Sequence, residues 1–323
     1  MVKTVIIHKS CTFIVDRIKK GIKEYVNAST ELCLDRLRLR SIPLIFWRKF
    51  NSMYNKILVL CIPISNLLIL LLLLLVFRRP FRLVLVVPPS YTHSVGLSTK
   101  IKILLLRSVL NILVGAGTRV TVLFTTVYEK TLLEGLLPRT MAMYLPIYYI
   151  EEAGLKEILE SDKPVIYFIA HTKEDLILID RCARELRELG VTAKFIVGHY
   201  IEKEICPDYY GILCIHTDKP EESVRNSTLV ISLTPSSWSN YIVALALTYG
   251  KPIIATPRHG IALQYHSTGF VLSISEHERE ELTSFILRVI NSISEYKKRG
   301  LQVDVEIPGH QYSRAILGKL FRR

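Results

Sequence analysis

The sequence predicts an α/β protein made of two doubly wound, parallel-sheet domains facing a cleft. Three observations carry this. Short apolar runs of strand length alternate with stretches of helical periodicity, most cleanly in the second half. Several runs are apolar at every position, as strands buried on both faces of a parallel sheet are. The chain has 323 residues, half of them hydrophobic, which is more than one core usually holds, since cores stop growing near roughly 250–300 residues. The same composition excludes a disordered chain, which combines low hydrophobicity with high charge. The cysteines (Cys11, Cys33, Cys61, Cys182, Cys206, Cys214) include no CxxC and no cysteine–histidine cluster at zinc spacing. That argues against a disulfide scaffold and leaves a reduced, cytoplasmic protein as the expectation.

In order, the first half has strands at Thr4–His8, Ile57–Ile62, Arg82–Val87 and Thr121–Thr125, with a fainter one near Tyr144–Tyr148. Residues 57–77, ILVLCIPISNLLILLLLLLVF, contain no charge and are long enough to cross a bilayer, which takes about 20 apolar residues. Pro63, Ser65 and Asn66 read as a turn inside that run, and the flanks are basic on both sides, so charge assigns no orientation. The other reading is a buried strand, a turn and a buried helix over Asn66–Phe77. Lys3, His8 and Lys9 interrupt any signal-peptide core. In the second half Val165–Ala170 is a strand. Glu174–Leu189 is an amphipathic helix with Leu176, Ile179, Ala183 and Leu186 on one face, capped by Gly190. Strands follow at Lys194–Val197, with Gly198 ending it, and at Gly211–Ile215 and Leu229–Leu233. Tyr241–Thr248 is a helix apolar on nearly all sides, stopped by Gly250. Strands at Pro252–Thr256 and Gly269–Leu272 and a long helix at Glu276–Lys298 complete the half. The charged stretch Glu151–Lys163 marks the junction, giving domains at 1–150 and 151–310 and a tail helix at 311–323.

The net charge of +13 is unevenly placed. Residues 1–150 hold 21 Lys and Arg against six acids, and the remainder holds 21 against 23. The first half is therefore the one expected to meet an anionic partner.

The run NSTLVISLTPSSWSNYIVALALTYGKPIIATPRHGIALQYHSTGFVL, Asn226–Leu272, resembles the C-terminal domain of the group 1 (family 4-like) glycosyltransferases. That family has the GT-B fold of two Rossmann-like domains. The resemblance rests on Pro235-Ser236 after a strand, a buried helix ending in Gly250-Lys251-Pro252, and a strand ending in Ala255-Thr256. Gly260 and Thr268-Gly269-Phe270 follow. It covers roughly 130 residues well, in the sense that whole elements and their punctuation match. Residues 125–150 match the approach to the interdomain linker more loosely. The family's two glutamates are missing: Ser236 to Asn240 stand at the first position, and the second falls near Leu245. His171 stands in place of an arginine, and Lys173 matches the family's lysine.

The resemblance implies a glycosyltransferase that moves a sugar from a nucleotide-sugar donor to an acceptor hydroxyl, retaining and metal-independent. It implies a donor-binding C-terminal domain and an acceptor-side N-terminal domain. His171 and Lys173, at a helix start, would stabilise the diphosphate leaving group. Gly198, Ser237, Ser239, Asn240, Arg258, His259 and Gly260 follow strand ends and are the other candidate donor-binding residues. Ser239 and Asn240 also suit the N-cap of the Tyr241 helix. On the acceptor side stand Ser10, Tyr91 and Glu129, with His93 the candidate catalytic group beside Lys173, because histidine titrates near neutrality. Glu129 equally suits a helix N-terminus. No cofactor and no metal is expected. The expected partners are a nucleotide sugar and an anionic or lipid-linked acceptor, with a membrane surface also considered. Nucleic acid is disfavoured, because the basic residues form no nucleic-acid motif. The competing reading is a catalytically degenerate GT-B protein that binds a nucleotide or a membrane surface.

Overall fold

Two parallel sheets of six strands organise the described part of the chain. The computed structural model describes residues 3–8, 29–33, 54–60, 64–75, 81–87, 97–134, 141–144, 163–199, 212–215, 220–234, 237–257, 259–266, 271–275, 278, 281–293, 295, 315–316 and 318–320. The chain divides into two compact units, Met1–Tyr149 with His310–Arg323, and Ile150–Gly309.

The first unit contains β1 (Lys3–His8), β2 (Ser29–Cys33), β3 (Tyr54–Leu60), α1 (Ile64–Leu75) and β4 (Arg82–Val87). It continues with α2 (Leu97–Gly115), β5 (Arg119–Phe124), α3 (Val127–Glu134) and β6 (Met141–Tyr144). Its sheet order is β2-β1-β3-β4-β5-β6. On one face Val5, Ile7, Val59, Leu85, Val122 and Phe124 meet Leu67, Leu70, Leu71 and Leu74 of α1 and Leu106, Leu110 and Leu113 of α2. Thr4, Ile6, Val84, Val86, Thr121 and Leu123, on the other face, are buried as well. That double burial is why these strands are apolar at each position. Each large side chain so enclosed stabilises the fold by about 1.5–3 kcal/mol relative to exposure.

Within the apolar run 57–77, residues 57–60 belong to β3 and Ile64–Leu75 form α1. Among the described residues no helix is long and apolar enough to cross a membrane.

The second unit contains β7 (Val165–Ala170), α4 (Lys173–Glu188), β8 (Lys194–His199), β9 (Ile212–Ile215), α5 (Glu221–Arg225) and β10 (Leu229–Ser232). Then come α6 (Ser237–Thr248), β11 (Ile253–Ala255), α7 (Gly260–Gln264), β12 (Val271–Ser273) and α8 (Leu282–Asn291). Its sheet order is β12-β11-β10-β7-β8-β9. Ile166, Phe168, Val197, Leu229, Ile231 and Ile254 pack against Leu176, Ile179, Ala183 and Leu186 of α4 and Leu282, Ile286 and Val289 of α8. Gly190 (φ 78°) and Gly250 (φ 66°) end α4 and α6 in the left-handed region, where a side chain would be strained.

Several elements differ from the sequence expectation. β2 and α2 were not anticipated. Leu282 opens α8, six residues later than expected; ahead of it the Ser275 N–H donates to the Glu278 carboxylate (2.8 Å). Gly198 lies inside β8, paired with Ile169, instead of ending the strand. The helix expected at Tyr241 begins at Ser237, so Ser239 and Asn240 lie within its first turn and do not cap it.

Candidate functional site

The second unit's strand order reverses between β7 and β10. From β7 the chain winds outward through β8 and β9, and from β10 through β11 and β12. Connections leaving two adjacent parallel strands in opposite directions open a crevice at their carboxyl ends, the usual ligand position in such sheets. The residues just past β7, β10 and β11 therefore define the candidate site.

After β7 the chain turns through His171 and Thr172 into α4. Thr172 is the N-cap: its Oγ1 accepts the Asp175 N–H (3.1 Å), and the Asp175 carboxylate accepts the Thr172 N–H (3.1 Å). This capping box satisfies donors that a helix start leaves orphaned. The same carboxylate accepts the His171 N–H at 2.9 Å. It also accepts the hydroxyl of Thr234, two residues past β10, at 3.2 Å. Asp175 is only 1 % exposed. It thus ties the carboxyl ends of β7 and β10 together across the reversal. Thr256, just past β11, continues the seam by donating to the Leu233 carbonyl at 3.0 Å.

Around this seam the expected donor-binding residues fall in distinct settings. Lys173, the first residue of α4, is exposed. His171 is partly buried, and burial holds its imidazole below the usual range while Asp175 opposes the shift. At neutral pH it is therefore a neutral hydrogen-bonding group, and Lys173 carries the cationic charge. Asn240 is fully buried in the first turn of α6, and neither of its amide atoms has a hydrogen-bond partner among the described residues. The Ser232 hydroxyl, at the end of β10, is in the same state. Such orphaned groups are rare in folded proteins. Ser239 is also fully buried. Ser237 opens α6. His259 is buried at the N-cap position of α7, its N–H donating to the Thr256 carbonyl at 2.9 Å, and Gly260 begins that helix.

Gly198 has a structural explanation. A Cβ at that position would lie 2.1 Å from the Tyr167 hydroxyl oxygen and 2.7 Å from the ring carbon bearing it. The glycine makes room for this tyrosine, whose own ionisation burial pushes far up.

In the first unit, Glu129 occupies the third position of α3. Its N–H donates to Thr126 Oγ1 (3.1 Å), and its carboxylate accepts from the Thr126 N–H (3.2 Å) and the Thr125 hydroxyl (2.6 Å). This is a second capping box. Glu129 is fully enclosed, and burial pushes its pKa up to about 7 against the hydrogen bonds that Thr125 and Thr126 donate to its carboxylate. Ser10, Tyr91, His93 and Arg258 lie outside the described residues. Among the described residues no group of three metal-ligating side chains could hold a metal ion.

Sequence reasoning missed Asp175 and Thr234. The signal for Asp175 was present, a Thr-x-x-Asp at the start of a helical pattern. Nothing in the chain pointed to its partner 59 residues away.

No protein-family model and no curated protein sequence matches the chain. Solved structures do. Sucrose-phosphate synthase from Thermosynechococcus elongatus superposes with a TM-score of 0.66 at 10 % identity, over 100 % of this chain and 98 % of that one. HepE from Anabaena, solved with UDP and glucose, gives 0.61 at 16 % identity, over 99 % and 96 %. MnaA from S. aureus, solved with UDP, gives 0.61 at 12 % identity, over 99 % and 94 %. The chain has a GT-B glycosyltransferase-like fold.

Proposed function

We propose that the protein transfers a sugar from a nucleotide-sugar donor to an acceptor hydroxyl, with the donor held at the carboxyl edge of the second unit's sheet. The observation that carries this reading is the strand-order reversal between β7 and β10, pinned by Asp175 beside an exposed lysine. Solved proteins of the same fold that hold UDP support the choice of ligand. In this reading the acceptor oxygen bonds to the anomeric carbon as the bond from that carbon to the diphosphate oxygen breaks. The acceptor proton leaves with the departing phosphate or to solvent. Lys173 supplies charge and neutral His171 a hydrogen bond to the leaving phosphates. Asn240 and Ser232 supply partners for ribose or sugar hydroxyls. The resemblance of Asn226–Leu272 to group 1 glycosyltransferases supports retention of configuration. Positive charge from the chain takes the place of a metal ion.

One observation favours a second reading, a GT-B protein that binds the nucleotide without turnover. Among the described residues, the buried acid at this edge is Asp175, and its carboxylate is engaged in capping α4 and holding Thr234. Leu245, near the family's second glutamate, is buried in the core. Incubation with radiolabelled UDP-sugars separates the two. Release of UDP that rises with added acceptor supports transfer. Saturable binding with no release supports the binding role, and neither binding nor release rejects both.

A further inference from the structure

Helices α1 and α2 pack side by side on one face of the first unit's sheet. Each has the apolar stripe that this packing requires. Each also has a second one that it does not. In α2 the buried stripe is Leu106, Val109, Leu110 and Leu113, while Ile101, Leu104, Leu105 and Ile112 form another at three- and four-residue spacing. In α1 the buried leucines are 67, 70, 71 and 74, while Ile69 and Leu72 lie on a separate stripe. These six residues are each 47–57 % exposed. A helix on the outside of a sheet normally turns a polar face to water. Since both helices cover the same sheet face, their outer stripes form one apolar surface on a single layer, and contiguous exposed apolar surface of this kind marks an interaction site.

Charge identifies the occupant. Between Arg36 and Tyr128 the sequence has thirteen Lys and Arg and no Asp or Glu. Lys100 beside the α2 stripe is exposed, and Arg107 is partly so. Two copies meeting through this face would bring like charges together. An anionic bilayer surface offers opposite charge at the headgroups and hydrocarbon just beneath. Spanning is excluded for α1 by length, since twelve residues reach about 18 Å against a hydrocarbon core of about 30 Å. Lys100, Lys102 and Arg107 interrupt α2.

We propose that the outer face of α1 and α2 docks onto an anionic membrane surface. Ile69, Leu72, Ile101, Leu104, Leu105 and Ile112 enter the headgroup–acyl boundary, and Lys100 and Arg107 of α2 pair with lipid phosphates, as in helices that lie in the interface. This rests on the first unit alone and stands whether or not the second unit transfers a sugar.

Vesicle sedimentation of the full chain tests it, using phosphatidylcholine alone and phosphatidylcholine mixed with an equal part of phosphatidylglycerol. The protein should pellet with the mixed vesicles at low salt and lose most of that binding at high salt. The double variant Leu104→Gln/Leu105→Gln should lower the partition coefficient about tenfold or more. Lys100→Gln should lower it about fivefold. An unchanged urea midpoint shows the variants are folded, because the substituted side chains lie outside the core. Failure to pellet with the mixed vesicles overturns the proposal. So does binding that Leu104→Gln/Leu105→Gln leaves intact, or a dimer in light scattering that this variant dissolves, which would assign the face to a second copy.

Discussion

Asp175 is a single carboxylate with three structural duties: it accepts from two backbone N–H groups at the start of α4 and from Thr234 beyond β10. Asp175→Ala strands those donors in a buried setting. It should cost about 2 kcal/mol or more, read as a lowered urea midpoint. Asp175→Asn, which keeps one acceptor oxygen, should lose less. Glu129 makes a prediction of opposite character. Its folded pKa is raised from 4.5 to about 7, so between those values the native state holds a proton that the unfolded chain has released. Its contribution to stability is full below about pH 4.5 and is lost as the pH rises through about 7. Glu129→Gln keeps an acceptor for Thr125 and Thr126 and should flatten that part of the stability–pH profile. An unchanged profile would remove Glu129 as its source. The sequence offered both roles for Glu129, cleft residue and helix-start acid, and the hydrogen bonds show the second. Chain spacing alone could not choose, because both roles put a carboxylate just after a strand.

At the scale of elements, legibility followed how local the determining forces are. β4 and β7 were readable to the residue because each is a short run, apolar but for Arg82 at the start of β4, bounded by charge, proline or a polar turn. Within the disputed run 57–77, β3 ends at Leu60 and α1 begins at Ile64, so Ser65 and Asn66, expected in a turn, lie in the first turn of the helix. β2, STELC, was not readable: its pattern is barely apolar, and its place depends on pairing with β1 some 25 residues earlier in register. The apolar pattern of α8 runs back to Glu276, whereas the helix begins at Leu282, beyond the bond from the Ser275 N–H to the Glu278 side chain, a local competitor of helical bonding. Gly198 shows the same limit. It reads as a strand end, yet it pairs with Ile169 within β8, and a tyrosine on the neighbouring strand leaves no room there for a side chain. Gly198→Ala should destabilise the second unit by about 1–3 kcal/mol through overpacking. Thermal melts of Gly198→Ala, Tyr167→Val and the double variant should show costs well short of additive. Strict additivity would mean the two side chains do not compete for the same space.

For the whole molecule, the two units divide the properties that the composition merged. The excess positive charge and the outward apolar helix faces belong to the first unit, and the strand-order reversal with its polar seam belongs to the second. The fold was legible from alternation and from the punctuation of Asn226–Leu272. The site was legible only as strand ends, since the Asp175–Thr234 tie is a long-range contact. Calorimetric titration of UDP into the full chain, beside Lys173→Ala, tests the central claim most directly. One saturable site per chain is expected, weakened about tenfold in Lys173→Ala by the loss of a charge-assisted phosphate contact, with the urea midpoint unchanged because Lys173 is exposed. No saturable binding of UDP, or binding that Lys173→Ala leaves unaltered, would contradict it.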